Sequence, residues 1–182
     1  DETSTITVTL NSPSKSFNTA GLMQSNVICS DIEMRRRVDR VINIFEVCEV
    51  NPFGPDALVA AYNESEEWLD ELNRYLYDNY LELKRFFAEY MPKIEVLKLE
   101  GTYLVWVDIS ALEFTSDELE AKLRDEGKVY LNSGTMYGRR AGQGYMRINI
   151  ACPRSRMIDG LTRMAKVLAP YMEDDCDMGC PS

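Results

Sequence analysis

The sequence contains no histidine. That absence removes Ser-His-Asp hydrolysis, HExxH metalloprotease chemistry and imidazole acid-base catalysis, and leaves acid-base work to lysine, carboxylate, tyrosine or cysteine. Basic residues are also outnumbered: 20 Lys and Arg face 30 Asp and Glu, for a formal net charge of −10. Such a surface repels phosphate backbones and anionic lipid heads, so neither nucleic acid nor membrane is expected as a partner. No apolar run approaches the length of a bilayer span, and the stretch from Asp1 to Thr9 is acidic and hydroxyl-rich, unlike a cleavable export signal. Cysteines are few and odd in number, at five. Cys29, Cys48 and Cys152 sit in apolar or strand-like stretches where a reduced thiol behaves as a small hydrophobe, which fits a reducing cytoplasm. Cys176 and Cys180, in the tail DDCDMGCPS, are spaced too loosely for a zinc knuckle and lack a histidine to complete one. No metal is expected; the tail reads as solvated, with a local disulfide as the other reading.

What is present is an ordinary globular composition, 45% hydrophobic and 27% charged, long enough for one or two small cores. TITVTL (Thr5 to Leu10) is β-branched and reads as a buried strand that NSPSKS interrupts at Pro13, leaving Lys15 in a turn just past a strand. SNVIC (Ser25 to Cys29) reads as a second strand. SDIE, Ser30 to Glu33, has capping-box spacing and predicts a helix running through MRRRVDRVINIFEV. Gly54 and Pro55 open a short helix around DALVAAY. A long amphipathic helix follows, with Trp68, Leu72, Tyr75, Leu76, Leu83, Phe86, Phe87 and Tyr90 at near-helical spacing, ending at Pro92. Beyond it, IEVLKL, YLVWVDI and GYMRINI read as strands of a small α+β domain, separated by a helix that Thr115 and Glu118 cap and Gly127 terminates. The closing helix carries Met157, Leu161, Met164 and Leu168 on one stripe, with Gly160 weakening its interior.

Two stretches bear on chemistry. SPSKSFNTAGL, Ser12 to Leu22, sets a lysine in a serine-rich turn whose hydroxyls are suited to donate to a phosphate. A lysine becomes a nucleophile when its ammonium loses a proton in a partly desolvated pocket, although most such lysines are simply solvated surface residues. In GYMRINI, alternation puts Met146, Ile148 and Ile150 on one face and Tyr145, Arg147 and Asn149 on the other. The planar guanidinium of Arg147 matches a carboxylate through two parallel hydrogen bonds, the bland alternative being an ion pair with a neighbouring acid. The loop NSGTMYGRRAGQG, Asn132 to Gly144, follows a strand but does not open into a helix, so it suits a mobile site border better than a nucleotide cradle. Tyr103 and Trp106 read as packing residues, with Gly101 allowing close approach of a substrate.

The stretch SPSKSFNTAGL, together with EGTYLVWVDI and GYMRINIACPRS, resembles the lysine segment and small domain of fold-type I pyridoxal-phosphate (PLP) enzymes, most closely the MalY/PatB-type cystathionine β-lyases and cystalysin within the class I/II aminotransferase superfamily. The resemblance covers nearly the whole chain. It implies an α/β chain forming the C-terminal part of a PLP-dependent transferase (aspartate aminotransferase-like) fold. Residues 1–91 would be the lysine-bearing end of the large domain with its connecting helix, 92–172 the small α+β domain, and 173–182 an acidic tail. It implies Lys15 as the Schiff-base lysine, Ser12 and Ser14 as holders of the cofactor phosphate, and Arg147, in the RxN pattern, as the grip on the substrate α-carboxylate. The implied activity is C–S β-elimination from cystathionine or a related cysteine derivative; transamination and a non-catalytic isolated fragment are the alternatives. The implied partners are an amino-acid substrate and, in the full-length parent, a second subunit. The sequence departs from aspartate-type members at Met23, where many carry an arginine eight residues after the lysine. The ring-stacking aromatic, the pyridine-pairing aspartate and an upstream asparagine of the family have no counterpart among the 14 residues before Lys15, so the chain alone is expected to be a poor catalyst.

Overall fold

A computed structural model describes Thr3 and residues 6–173 of the chain. The cysteines of the tail, Cys176 and Cys180, lie outside the described residues, as do Thr5 of the expected first strand and all of the acidic tail beyond Glu173. The chain divides into two compact units, Asp1–Asn73 and Arg74–Ser182.

In the first unit, β1 (Val8–Asn11) and β2 (Asn26–Cys29) pair antiparallel, with Val8 opposite Cys29 and Asn11 opposite Asn26. Helix α1 (Ile32–Ile44) follows, its N-cap being Asp31, whose carboxylate accepts the Met34 N–H at 2.7 Å. The expected box on Ser30 is thus replaced by a single N-cap hydrogen bond one residue later. The helix also stops earlier than the apolar pattern suggests: Phe45 caps it and Glu46 takes a left-handed conformation at φ 52°, turning FEV out of the helix. Helix α2 (Gly54–Glu64) starts with Pro55 in its first turn, where the missing N–H costs nothing. The expectation of a buried first strand is corrected. All four residues of β1 are exposed, Leu10 by 74%, because a two-stranded sheet offers no second layer to cover it. The buried residues of 6–73 are only Pro13, Cys29, Gly54 and Ala61.

Helix α3 (Glu66–Tyr90) leads into the second unit and ends just before Pro92, as its spacing predicts. The second unit is a four-stranded antiparallel sheet in the order β3 (Glu95–Val96), β4 (Leu104–Asp108), β6 (Tyr145–Asn149), β5 (Asn132–Ser133). Helix α4 (Ser116–Asp125) precedes β5 and helix α5 (Arg154–Leu168) closes the unit. The core is drawn from the inward residues of these elements: Leu83, Phe87 and Met91 around the end of α3, Val105 and Val107 of β4, Leu119 and Leu123 of α4, and Met146 and Ile148 of β6. From α5 come Met157, Leu161, Met164 and Leu168, the stripe read from the sequence. The Thr115–Glu118 capping box forms in full, with both reciprocal hydrogen bonds. At the other end of α4 the left-handed residue is Lys128 at φ 52° instead of Gly127. Gly127 serves close packing, since a Cβ there would lie 2.9 Å from the Leu123 carbonyl oxygen.

One buried polar side chain knits this unit together. Asn79 is fully buried, and its amide donates to the carbonyls of Ile150 at 3.0 Å and Cys152 at 3.1 Å while its oxygen accepts from Arg154 Nε at 3.1 Å. All three contacts fall where β6 turns into α5, a break in regular pairing whose backbone carbonyls need side-chain donors once buried.

Candidate active site

The Lys15 turn is built on two supports. Phe17 N–H donates to the Pro13 carbonyl at 2.9 Å and Thr19 N–H to the Ser14 carbonyl at 3.1 Å, closing a turn around Lys15 and Ser16. The Phe17 ring then packs between Tyr62 of α2, edge to face at 5.6 Å, and Trp68 of α3, stacked at 6.3 Å. On the strand side, Ser12 Oγ donates to the Gln24 carbonyl at 2.7 Å, lies 2.9 Å from Ser14 Oγ and accepts the Ser14 N–H at 3.2 Å. Ser12 and Ser14 are therefore brought together, half-buried, at the mouth of the turn, and Lys15 beside them is exposed, with no hydrogen-bond or ion-pair partner among the described residues. With the Ser12 hydroxyl donating to Gln24, the Ser14 hydroxyl can donate to a phosphate and the Lys15 amine can attack an aldehyde.

Arg147 belongs to the second unit. It is the middle residue of a row running across three strands, opposite Trp106 of β4 on one side and Asn132 of β5 on the other. Alternation along β6 buries Met146 and Ile148 and leaves Tyr145 and Arg147 half-buried on the opposite face, as the sequence pattern predicts. No carboxylate lies within ion-pair distance of Arg147 among the described residues. Its guanidinium instead donates from Nη2 to Asn132 Oδ1 at 3.3 Å and lies 4.3 Å over the centre of the Tyr137 ring. The Nε–H is buried and finds no acceptor among the described residues. A cation in that setting keeps its charge uncompensated, and a buried donor left unpaired costs about 1–3 kcal/mol. Both features favour an incoming anion. The Tyr137 ring also meets Trp106 edge to face at 5.4 Å, so Trp106 packs as its sequence suggests, on the sheet face it shares with Arg147. An open depression of about 260 Å³ lies beside these rings, lined by Leu97, Trp106, Tyr137 and Tyr145 together with the glycines of the loop.

The loop Asn132–Gly144 borders this face and is tied to the start of α4 by hydrogen bonds at both ends. Ser116 Oγ, fully buried, accepts the N–H groups of Gly144 at 2.9 Å and Tyr145 at 3.1 Å. The neighbouring carboxylate of Asp117 accepts from the hydroxyls of both Ser133 and Thr135 at 2.5 Å. Between these two clamps the backbones of Gly134 and Gly142 touch, a closeness that any Cβ would prevent. Asn132 and Tyr137, which the sequence reading passed over, owe their places to this loop. The signal available for them was their position beside a glycine-rich turn. Gly101, considered for substrate approach, has nothing within 4 Å of an added Cβ and imposes no such closeness.

The hydroxyls of Ser133, first, and Thr135 stabilise the charged form of Asp117 and hold its carboxyl below the usual carboxylate range. A depressed folded-state value stabilises the fold above the unfolded value, and that contribution disappears as pH falls through the folded one. Asp117→Asn is therefore expected to lower the urea midpoint most at neutral pH and to converge with wild type below the ordinary carboxylate range. A gap that is constant between pH 7 and pH 3 would show that the clamp does not depend on the charge.

The fold defines a class: part of a PLP-dependent, aspartate aminotransferase-like α/β protein. The chain belongs to the aminotransferase class I and II family, whose model matches residues 1–163. It is 36% identical over 169 residues to the cystathionine beta-lyase PatB of Bacillus subtilis, an alignment covering 93% of this chain and 43% of PatB. Among solved structures it is similar to PLP-containing cystalysin of Treponema denticola, with a TM-score of 0.88, 31% identity and coverage of 93% of this chain and 43% of that one. It is also similar to the PLP-bound C-S lyase of Staphylococcus hominis, with a TM-score of 0.77 and 31% identity over 91% of this chain and 43% of that one. The chain thus spans about two fifths of the length of the curated relatives it matches. The cofactor of the family is PLP, and the residues present fit two parts of it: the Ser12–Ser14 pair its phosphate and the free Lys15 amine its aldehyde. Among the described residues no helix is long and apolar enough to cross a membrane.

Proposed function

We propose that the whole protein is a PLP-dependent C–S β-lyase that cleaves cystathionine or a related cysteine derivative to a thiol, pyruvate and ammonia. The observation that carries the reading is the Lys15 turn, in which an exposed lysine without a partner among the described residues follows two half-buried serines in contact, in a chain whose relatives PatB and the Staphylococcus hominis protein are named for C–S cleavage. In this reading Ser12 and Ser14 hold the phosphate, and Lys15 Nζ is the point of covalent attachment. PLP, when bound, supplies an electron sink for the carbanion left after loss of the α-proton.

The chain's own residues do the rest. Lys15 Nζ, as a neutral amine, would take the proton from the substrate α-carbon. Arg147 grips the α-carboxylate with paired N–H donors and so fixes the orientation of the substrate. The aromatic face of Trp106 and Tyr137 shields that ion pair from water and strengthens it. The alternative reading within the family is transamination. It requires a keto acid as amino acceptor, whereas β-elimination proceeds with the amino acid alone, so product analysis with and without an acceptor separates the two. In the same reading the full-length protein is a cytoplasmic homodimer.

The test of the Lys15 assignment is chemical. The purified chain is incubated with PLP, reduced with borohydride, and the phosphopyridoxyl-lysine is mapped by peptide mass spectrometry, with Lys15→Ala as control. Selective labelling at Lys15 is expected. Labelling scattered over the other lysines, or unchanged in the variant, would sink the assignment.

A further inference from the structure

We propose that Asn132 and Tyr137 are positioning residues for Arg147, fixing its guanidinium flat and oriented before any substrate arrives, and that the clamped glycine loop exists to place Tyr137 there. The inference rests on the carboxylate-binding reading of Arg147 given above and adds residues that reading does not assign.

Three observations converge. An arginine side chain has several rotatable bonds, and on an open sheet face it would sample many rotamers. Here it is held by two partners, through a hydrogen bond to Asn132 Oδ1 at 3.3 Å and by the Tyr137 ring, whose centre lies 4.3 Å from its Cζ. A directional hydrogen bond and a ring contact together restrict the orientation of a planar group more than either alone. Neither partner is charged, so the guanidinium is held without being neutralised, and it retains its full attraction for an anion. An acid at position 132 would hold it as well and would compete with the ligand. Finally, Tyr137 lies on a 3-10 turn (Gly134–Tyr137) inside the loop that Ser116, Asp117 and the Gly134–Gly142 contact secure at both ends. Holding a side chain ready in this way lowers the ordering cost that binding would otherwise carry.

The consequence is readable in the arginine itself. In the 15N-labelled 182-residue chain the buried Nε–H of Arg147, assigned by its loss in Arg147→Lys, is expected to give a resolved resonance that exchanges slowly with water. Tyr137→Leu and Asn132→Ser are each expected to speed that exchange at least tenfold with the backbone amide spectrum otherwise preserved. Tyr137→Phe, which keeps the ring and removes only the hydroxyl, is expected to stay within twofold of wild type. Asn132→Asp, an isosteric change that does not threaten the fold, is expected to keep the resonance protected. Exchange unchanged in both Tyr137→Leu and Asn132→Ser, or accelerated equally in Tyr137→Phe, would overturn the inference. A second arm separates it from the reading beneath it: L-alanine is titrated against alaninol, which lacks the carboxylate. A shift of the Arg147 resonance with L-alanine alone, abolished in Asn132→Asp, supports both. No shift in wild type counts against carboxylate binding and leaves the positioning to be judged on exchange. A shift as large in Asn132→Asp as in wild type overturns the role of Asn132.

Discussion

Gly142→Ala is expected to destabilise the second unit by about 3 kcal/mol, the upper end of what a single overpacking change costs. The added methyl would meet the carbonyl of Gly134 and the amide of Thr135, both backbone. A flexible side chain can rotate away from a clash, but this backbone is held by Asp117 on one side and Ser116 on the other. The strain therefore has to be relieved by parting the loop, which also removes Tyr137 from beneath Arg147. Urea denaturation followed by tyrosine and tryptophan fluorescence checks the magnitude. A variant within about 0.5 kcal/mol of wild type, the range of an ordinary surface change, would mean that the two glycines do not touch in solution.

Phe87→Ala is expected to cost about 3–5 kcal/mol, the usual range for an aromatic lost from a closed core. Phe87 is 1% exposed and sits one turn from Leu83 on α3, itself fully buried, with Met91 fully buried just beyond the helix end. Neighbours packed that tightly cannot collapse into the space left behind, so the cavity persists and its lining loses dispersion contacts. By contrast Phe86, beside it in sequence, is only half-buried and meets the exposed Tyr90 ring at a tilt at 4.6 Å, and Phe86→Ala is expected to cost less than half as much. The measurement is the pair of urea midpoints at constant m-value; equal losses for the two variants would contradict the assignment of Phe87 to the core.

Much of the second unit was legible from local sequence. The Thr115 capping box, the α5 stripe and the alternation of β6 are patterns of period 3.6 or 2 that survive into the structure because one side of each element is buried. The serine-lysine turn was legible for a different reason, since Pro13 and the flanking strand fix it locally. What escaped were features that depend on register between distant segments. Strand β5 is two residues long, too short to show alternation, yet it is what sets Asn132 opposite Arg147. Trp106 alternates like any strand residue, and only the pairing of β4 with β6 sets it opposite Arg147. The exposure of β1 escaped because β-branched composition reports strand formation and is silent on whether another layer covers the strand. The end of α1 and the left-handed Lys128 were set by backbone choices at Glu46 and Lys128 that neither residue type advertises.

The uneven distribution of buried residues has a consequence for how the chain comes apart. Residues 6–73 bury Pro13, Cys29, Gly54 and Ala61, whereas nearly every large buried side chain belongs to residues beyond 73. Free energies of local opening follow buried apolar contact, so amides of β1, β2 and α1 should exchange with deuterium orders of magnitude faster than those of β4, β6 and α5. Heating should then produce two transitions, with the lysine-bearing turn released in the first and the arginine face surviving until the second. No single melting temperature describes such a chain.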